Sequence, residues 1–361
     1  MLNAHVRRCS GFANAGARYG VGVRRLSLSL IVRGAVLAPL LALVGGPRSV
    51  SLVPVVGESI TISSTLVPLQ VDQPSRTRAG RLTLLAGWKL EAPRSRQFGG
   101  WSALRIKGDH FTLIGDYGSV LRFRLTRFGR ATEARIDPLP EGCGRQDDKQ
   151  ERDSESLAAA PDGWWIGYEF DNRLCKVTPD FRRAIAVVRP RQMVDWREKY
   201  GAETALRLAD GRYMVIAERG NIDGAPRPLL IFSGDPANPR TSVIERRYLP
   251  PAGFSPTDAA QLPDGRILVL NRRFGLATLF TSVLVMIDPV ALDRDLPIAG
   301  TPIARLAPPT LHDNFEGLEV TVENGRPVIW MIADDNFMSW QGNYLLKFAI
   351  DEMPTRMPNP R

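Results

Sequence analysis

Two short phrases near the C-terminal end hold the chain's densest set of oxygen-bearing side chains. They are His312-Asp313-Asn314-Phe315-Glu316 and Asp334-Asp335-Asn336. Carboxylates and amides at that density suit Ca²⁺, a hard cation that takes six to eight oxygen ligands. Asp and Asn are also the usual residues of side-chain caps and Asx-turns, so a purely structural network is the competing reading. His312 is the one histidine near these acids, and no hydroxyl partner for a Ser-His-Asp triad is identifiable beside it. The chain has no Gly-x-Ser-x-Gly elbow, no P-loop and no His-Glu-x-x-His. Any hydrolysis would therefore be metal-assisted attack of water. Asp313, Glu316, Asp334 and Asp335 are the candidate metal ligands, and Glu316, His312 and Asp334 the candidate catalytic groups.

A repeat positions these residues. Five times the chain runs from a small polar or acidic residue through an apolar stretch to a Gly turn, then through a second apolar stretch to a charged residue. The turn glycines are Gly108, Gly163, Gly211, Gly265 and Gly325, spaced 55, 48, 54 and 60 residues apart. Asp-Gly and Asn-Gly between apolar runs mark hairpins. A period near 50 built of short strands marks the blades of a β-propeller. The expected fold is all-β, with five four-stranded blades. A sixth blade hidden in the longer repeats is the alternative. Arg81–Leu90 reads as a lone N-terminal strand that supplies the fourth strand of the last blade and closes the ring.

In such a ring the first strand of each blade lines the central channel. Ser102, Glu155, Glu203, Asp258 and Glu316 are then expected to circle one mouth, with Asp116, Glu169, Glu218, Arg272 and Asp334 just outside. Glu155 and Glu203 thereby join the candidate metal ligands. Arg105, Arg219 and Arg272, with Arg273, offset the acids; they either hold an anionic group or serve as salt-bridge partners of the ring.

The last-blade phrases also carry a resemblance. Asp313-Asn314-Phe315-Glu316-Gly317-Leu318, then Ala333-Asp334-Asp335-Asn336-Phe337 and Gln341, resemble the C-terminal signature of the phytase-like family described as having esterase-like activity. Gly99-Gly100-Trp101-Ser102-Ala103-Leu104 and Asp153-Ser154-Glu155-Ser156-Leu157 are similar to two further phrases of that family. Ala333 stands where the family has Ser, Ser156 where it has Gly, and Gly342-Asn343 where it has Arg-Thr. The resemblance covers about 98–350 and implies a hydrolase of ester or phosphoester bonds, acting on a small molecule. The departures weaken the carry-over of a catalytic role more than that of the fold. A non-catalytic propeller that binds a ligand or protein partner on the acidic face is the other reading.

The formal charge of +9 over 361 residues belongs to the N-terminus. Residues 1–57 hold seven arginines and no acid, which leaves 40 basic against 38 acidic residues beyond them. So balanced a domain has no nucleic-acid footprint. Residues 1–46 read as an export signal of Sec or Tat type, with Arg24-Arg25 before the apolar run Ala35–Gly46. An uncleaved N-terminal anchor is the alternative, and an organelle transit peptide a third. The expected location is periplasmic or secreted, with membrane contact only through that segment. An irregular linker is expected over 47–78, the propeller over 79–351 and a frayed tail over 352–361. Cys143 and Cys175 remain after export, either as a disulfide or as two thiols.

Overall fold

Residues 55–145, 147–220 and 225–351 are described by a computed structural model. The expected export segment and the expected frayed tail lie outside the described residues. Four of the five turn glycines, Gly108, Gly211, Gly265 and Gly325, have φ of 63°, 92°, 90° and 74°. A residue with a Cβ is strained in that left-handed region, so the turns need glycine there. Each turn joins two antiparallel strands, and the repeats resolve into separate sheets.

The chain starts with β1 (Glu58–Ser59), β2 (Ser63–Leu66), β3 (Arg78–Ala79) and β4 (Leu82–Glu91). The first blade is β5 (Trp101–Lys107), β6 (His110–Gly115), β7 (Ser119–Leu125) and β8 (Ala131–Pro138). The second is β9 (Ser154–Ala160), β10 (Gly163–Tyr168), β11 (Leu174–Val177) and β12 (Ala184–Val188). The third is β13 (Ala202–Arg207), β14 (Tyr213–Ala217), β15 (Arg227–Phe232) and β16 (Val243–Tyr248). The fourth is β17 (Ser255–Gln261), β18 (Ile267–Gly275), β19 (Leu279–Ile287) and β20 (Thr301–Leu306). The last holds β21 (Asn314–Glu323), β22 (Arg326–Asp334) and β23 (Asn343–Ile350). Its fourth strand is β4, antiparallel to β23 from Leu82↔Ile350 to Leu90↔Asn343. The fold is a five-bladed β-propeller, closed by the N-terminal strand as the sequence predicts. Closure leaves no blade edge open between first and last repeat.

The stretch expected to be an irregular linker departs from that expectation. β1 pairs with β8 on the outside of the first blade, while β2 and β3 both pair with β4 on the outside of the last. Strands this short carry no readable alternation, so the pattern hid them.

Neighbouring inner strands pack side by side in the order β5, β9, β13, β17, β21 and back to β5. Each sheet is buried on both faces, which is why its strands read as nearly continuous apolar runs rather than alternating ones. Along β18, Ile267 and Val269 enter the core between blades three and four, and Leu268 and Leu270 enter the core between blades four and five. Five such clusters fill the five seams. The seam between blades one and two also contains a Cys143–Cys175 disulfide, with Cα atoms 5.6 Å apart. It ties the charged inter-blade segment to β11.

Candidate active site

One feature of register builds the mouth of the channel. Every inner strand has a β-bulge at the same place. Pairing skips Ser102 in β5, Glu155 in β9, Glu203 in β13, Thr257 in β17 and Glu316 in β21. A bulge leaves one residue outside the ladder and re-aims its side chain, which is how five strand ends can turn side chains toward a common axis. The ring is therefore Ser102, Glu155, Glu203, Thr257 and Glu316.

Asp258 was expected in that ring and lies one residue beyond it. A one-residue slip sends a side chain the other way, and Asp258 faces into the channel. There it takes Arg105 in a two-pronged ion pair, Nη1 to Oδ2 at 2.9 Å and Nη2 to Oδ1 at 3.1 Å. The remaining Arg105 hydrogen bonds go to the carbonyls of Leu104, Ala205 and Leu318. Backbone amides of Ala259 and Leu318 donate to Asp258 at 2.8 and 2.9 Å. Both side chains are buried. Burial opposes the Arg105 charge, and Asp258 overrides it and raises the guanidinium pKa. Arg105, expected as an anion ligand, is thus a cross-channel tie between blades one, three, four and five, with its donors already engaged.

The outer ring falls where the sequence places it. Asp116, Glu169, Glu218 and Arg272 each follow the residue that pairs beside the bulge, and Asp334 stands at the matching end of β22. Arg272 is the only cation of that ring. Its Nη1 lies 3.3 Å from Glu316 Oε1 and donates to Asn314 Oδ1 at 2.9 Å. Its Nη2 is 3.6 Å from Glu218 and 3.9 Å from Glu203. Arg219 is turned outward, stacked 4.4 Å over Tyr200 and 3.8 Å from Glu218. Arg273 lies over Phe254 on the other side of β18.

The last-blade acids, expected to hold the ion, are largely consumed by caps. Asp313 accepts from the Asn314 and Gly342 amides and from Gln341 Nε2. Asp335 accepts from the Gly100 and Phe337 amides and from Asn343 Nδ2. A Cβ on Gly99 would run into the Asp335 carboxylate, so the Gly99-Gly100 pair is what lets the two segments meet. Asp334 accepts from the Asn336 amide at 2.7 Å, and shares the Asn314 Nδ2 group with Glu316. His312 hydrogen-bonds through Nδ1 to the carbonyl of Thr310, 2.8 Å away within its own loop.

Convergence occurs on blade two instead. Among the described residues, one trio of acids has ligand oxygens all within 4.8 Å of one another: Asp153, Glu155 and Glu169. The sequence reading had only Glu155 of these as a ligand. Lys149, which that reading missed, reaches the same spot from a helical turn over Lys149–Arg152, capped by Asp148. Its Nζ donates to the Asp116 carbonyl at 2.7 Å, contacts Asp153 Oδ1 and lies 3.6 Å from Asp116 Oδ2.

The carboxyl pKa values record the crowding. Burial, against Lys149, pushes Asp116 up to about 7. Burial and then the charges of Asp153 and Glu218 push Glu169 up to about 8. Burial raises Glu155 well above its ordinary value, helped by Asp153, Glu203, Glu169 and Glu316. Burial followed by Glu218 and Glu169 does the same to Glu203, and burial followed by Glu316 and Asp116 to Asp334. Glu316 is raised less freely, because Arg272 opposes the shift. Eight carboxylates thus act on one another across the mouth, with Lys149 and Arg272 as the cations that reach among them.

The fold has relatives among solved structures. Myxococcus xanthus glutaminyl cyclase is 12% identical, with 75% of this chain and 97% of that one covered and a TM-score of 0.42. The mannose phosphorylase MPT-4 of Leishmania mexicana is 11% identical, with 69% and 82% covered and a TM-score of 0.40. No relative is found among curated proteins. Residues 96–337 match the phytase-like family, described as esterase-like activity of phytase. That match runs from the glycine pair beside the first bulge to the Asp-Asp-Asn-Phe turn of the last blade, and the chain belongs to the phytase-like family.

Proposed function

We propose that this propeller is a hydrolase of ester or phosphoester bonds, working at the acidic mouth with a divalent cation held by Asp153, Glu155 and Glu169. The observation that carries the reading is the convergence of those three acids within 4.8 Å, in a mouth whose carboxylates outnumber its cations. Three carboxylates fit Ca²⁺, a hard ion that prefers charged oxygen ligands and tolerates irregular geometry. Bound there, calcium would polarise an ester or phosphoryl oxygen.

The chain's own groups supply the rest. Arg272 presents its guanidinium beside Glu316 and Glu218 and can pair with an anionic substrate group. Glu316, buried and oriented by Asn314 Nδ2 at 2.9 Å, stands across the mouth with its pKa raised. A carboxyl tuned toward neutrality can hold or deliver a proton at the scissile oxygen. Membership of the phytase-like family supports a hydrolytic role at the level of the family. The proposal includes export to the periplasm or beyond; the Arg-rich, acid-free N-terminus and the Cys143–Cys175 bond support it.

The test is a panel of phosphomonoesters and carboxylic esters assayed with calcium and with chelator. Calcium-dependent turnover that falls at least ~100-fold in Glu155→Gln is expected. A blank panel with intact calcium binding would leave a non-catalytic binding propeller instead.

A further inference from the structure

Among the described residues, the β18–β19 ladder of blade four is the longest of the five equivalent ladders and continues past Arg272. β18 and β19 pair without interruption from Ile267↔Ile287 to Gly275↔Leu279. Side chains alternate along a strand, and the alternation places two different rows here. Asn271 and Arg273 continue the Ile267–Val269 row toward blade three, where Asn271 meets Tyr248 and Arg273 lies over Phe254. Arg272 and Phe274 continue the Leu268–Leu270 row toward blade five. Phe274 faces its cross-strand partner Phe280 with ring centroids 5.2 Å apart. Phe280 in turn stacks on Trp340 of the β22–β23 loop at 6.4 Å and 15°. An aromatic wall therefore stands in the crease between blades four and five, beginning two residues beyond Arg272 on the same face of β18. Phe274 is 55% exposed, Trp340 37%, and Leu276 at the tip 93%.

We propose that this wall is a subsite for the apolar, aryl-bearing part of the substrate, whose anionic end pairs with Arg272. The proposal rests on the hydrolase reading for its chemistry and adds the substrate class: esters with an aromatic group, in place of polyanionic sugar phosphates. Two features on one strand face argue for it. The wall offers stacking area that the protein itself leaves uncovered. Arg272 sits two residues away on the same face, ~7 Å along the strand, a span that an aryl ring with an attached phosphate or carboxylate can bridge. A lipid bilayer is the poorer occupant, because one laid on the wall would bring its headgroup phosphates over the carboxylates of the mouth.

The experiment compares phenylphosphonate with methylphosphonate, neither of which is hydrolysed, by calorimetry in the presence of calcium. Wild type is expected to bind the phenyl probe about tenfold more tightly, the size of one good stacking contact with its buried area. Phe274→Ser and Trp340→Ala, each checked for an unchanged melting transition, should bring the ratio toward one. Phe128→Ser, which removes an exposed aromatic from the opposite face, should leave it alone. Equal affinities in wild type, or a preference that survives both substitutions, would overturn the subsite. So would adsorption to phosphatidylcholine vesicles that Phe274→Ser abolishes while the two probes bind alike. The two readings separate cleanly. Turnover without aryl preference removes the subsite and keeps the hydrolase, and aryl preference without turnover does the reverse.

Discussion

Two sets of buried charge lie within one channel, and they are built on opposite rules. Deep in the bore, one cation answers two acids: Arg105 holds Asp258 by two direct hydrogen bonds, Glu319 Oε2 lies 3.9 Å from its Nε, and the other hydrogen bonds of Arg105 and Asp258 go to backbone carbonyls and amides. At the mouth, acids face acids, and their pKa values rise because neither burial nor neighbours favour the charge. A folded protein tolerates the first arrangement because the desolvation of each ion is offset by its partner. It tolerates the second only by keeping protons or by taking a cation from solution. The bore is a fastener and the mouth is a site.

The largest predicted effect is on the fastener. Arg105→Met should strand Asp258 and cost about 3–5 kcal/mol of unfolding free energy. Calcium should not alter that loss, which denaturant melts with and without chelator will check. Next comes the disulfide that anchors the segment bearing Lys149 and Asp153. Replacing Cys143 and Cys175 by Ser opens a loop spanning 32 positions and should cost ~3 kcal/mol.

Capping acids should behave like the bore. Asp335→Asn disturbs contacts to the Gly100 and Phe337 amides, so a metal-independent loss of about 1–2 kcal/mol is expected. The mouth should respond to pH in the opposite sense from an ordinary salt bridge. Asp116 and Glu169 titrate near 7 and 8 when folded but near 4 when unfolded. Between pH 4 and 8 the folded state then holds the extra protons, so metal-free stability should fall as pH rises through that window. A stability maximum at pH 8 in chelator would contradict the crowding. The smallest effect is that of Lys149→Met. Removing this resident cation should tighten calcium binding roughly tenfold, read by calorimetry.

Much of the architecture was legible because it repeats. Gly turns at a period near 54 located the first hairpin of every blade, and the unpartnered Arg81–Leu90 strand announced the closure. The bulges were harder, since an extra residue leaves no mark in an apolar run. A partial signal did exist: Glu155 and Glu203 lie eight residues before their turn glycines, and eight before Gly265 is Thr257, not Asp258, although Ser102 lies six before Gly108 and Glu316 nine before Gly325. The outer ring followed directly from strand ends. Which acids converge did not, because Asp313 and Asp335 differ from Asp153 and Glu169 only in what three-dimensional neighbours they cap. Density in sequence pointed to the last blade; the converging oxygens are on the second.

Calcium titration of thermal stability at pH 8, run on wild type and on the Glu155→Gln/Glu169→Gln double variant, tests the cation site most directly. At a hundredfold excess over the dissociation constant, wild type should gain about 2.7 kcal/mol, roughly 4–5 °C in Tm for a domain of this size. The double variant, whose amides cannot ionise, should lose less stability than wild type as pH rises in chelator, and should gain nothing from calcium. No calcium response in wild type, or an equal response in both proteins, would contradict the account.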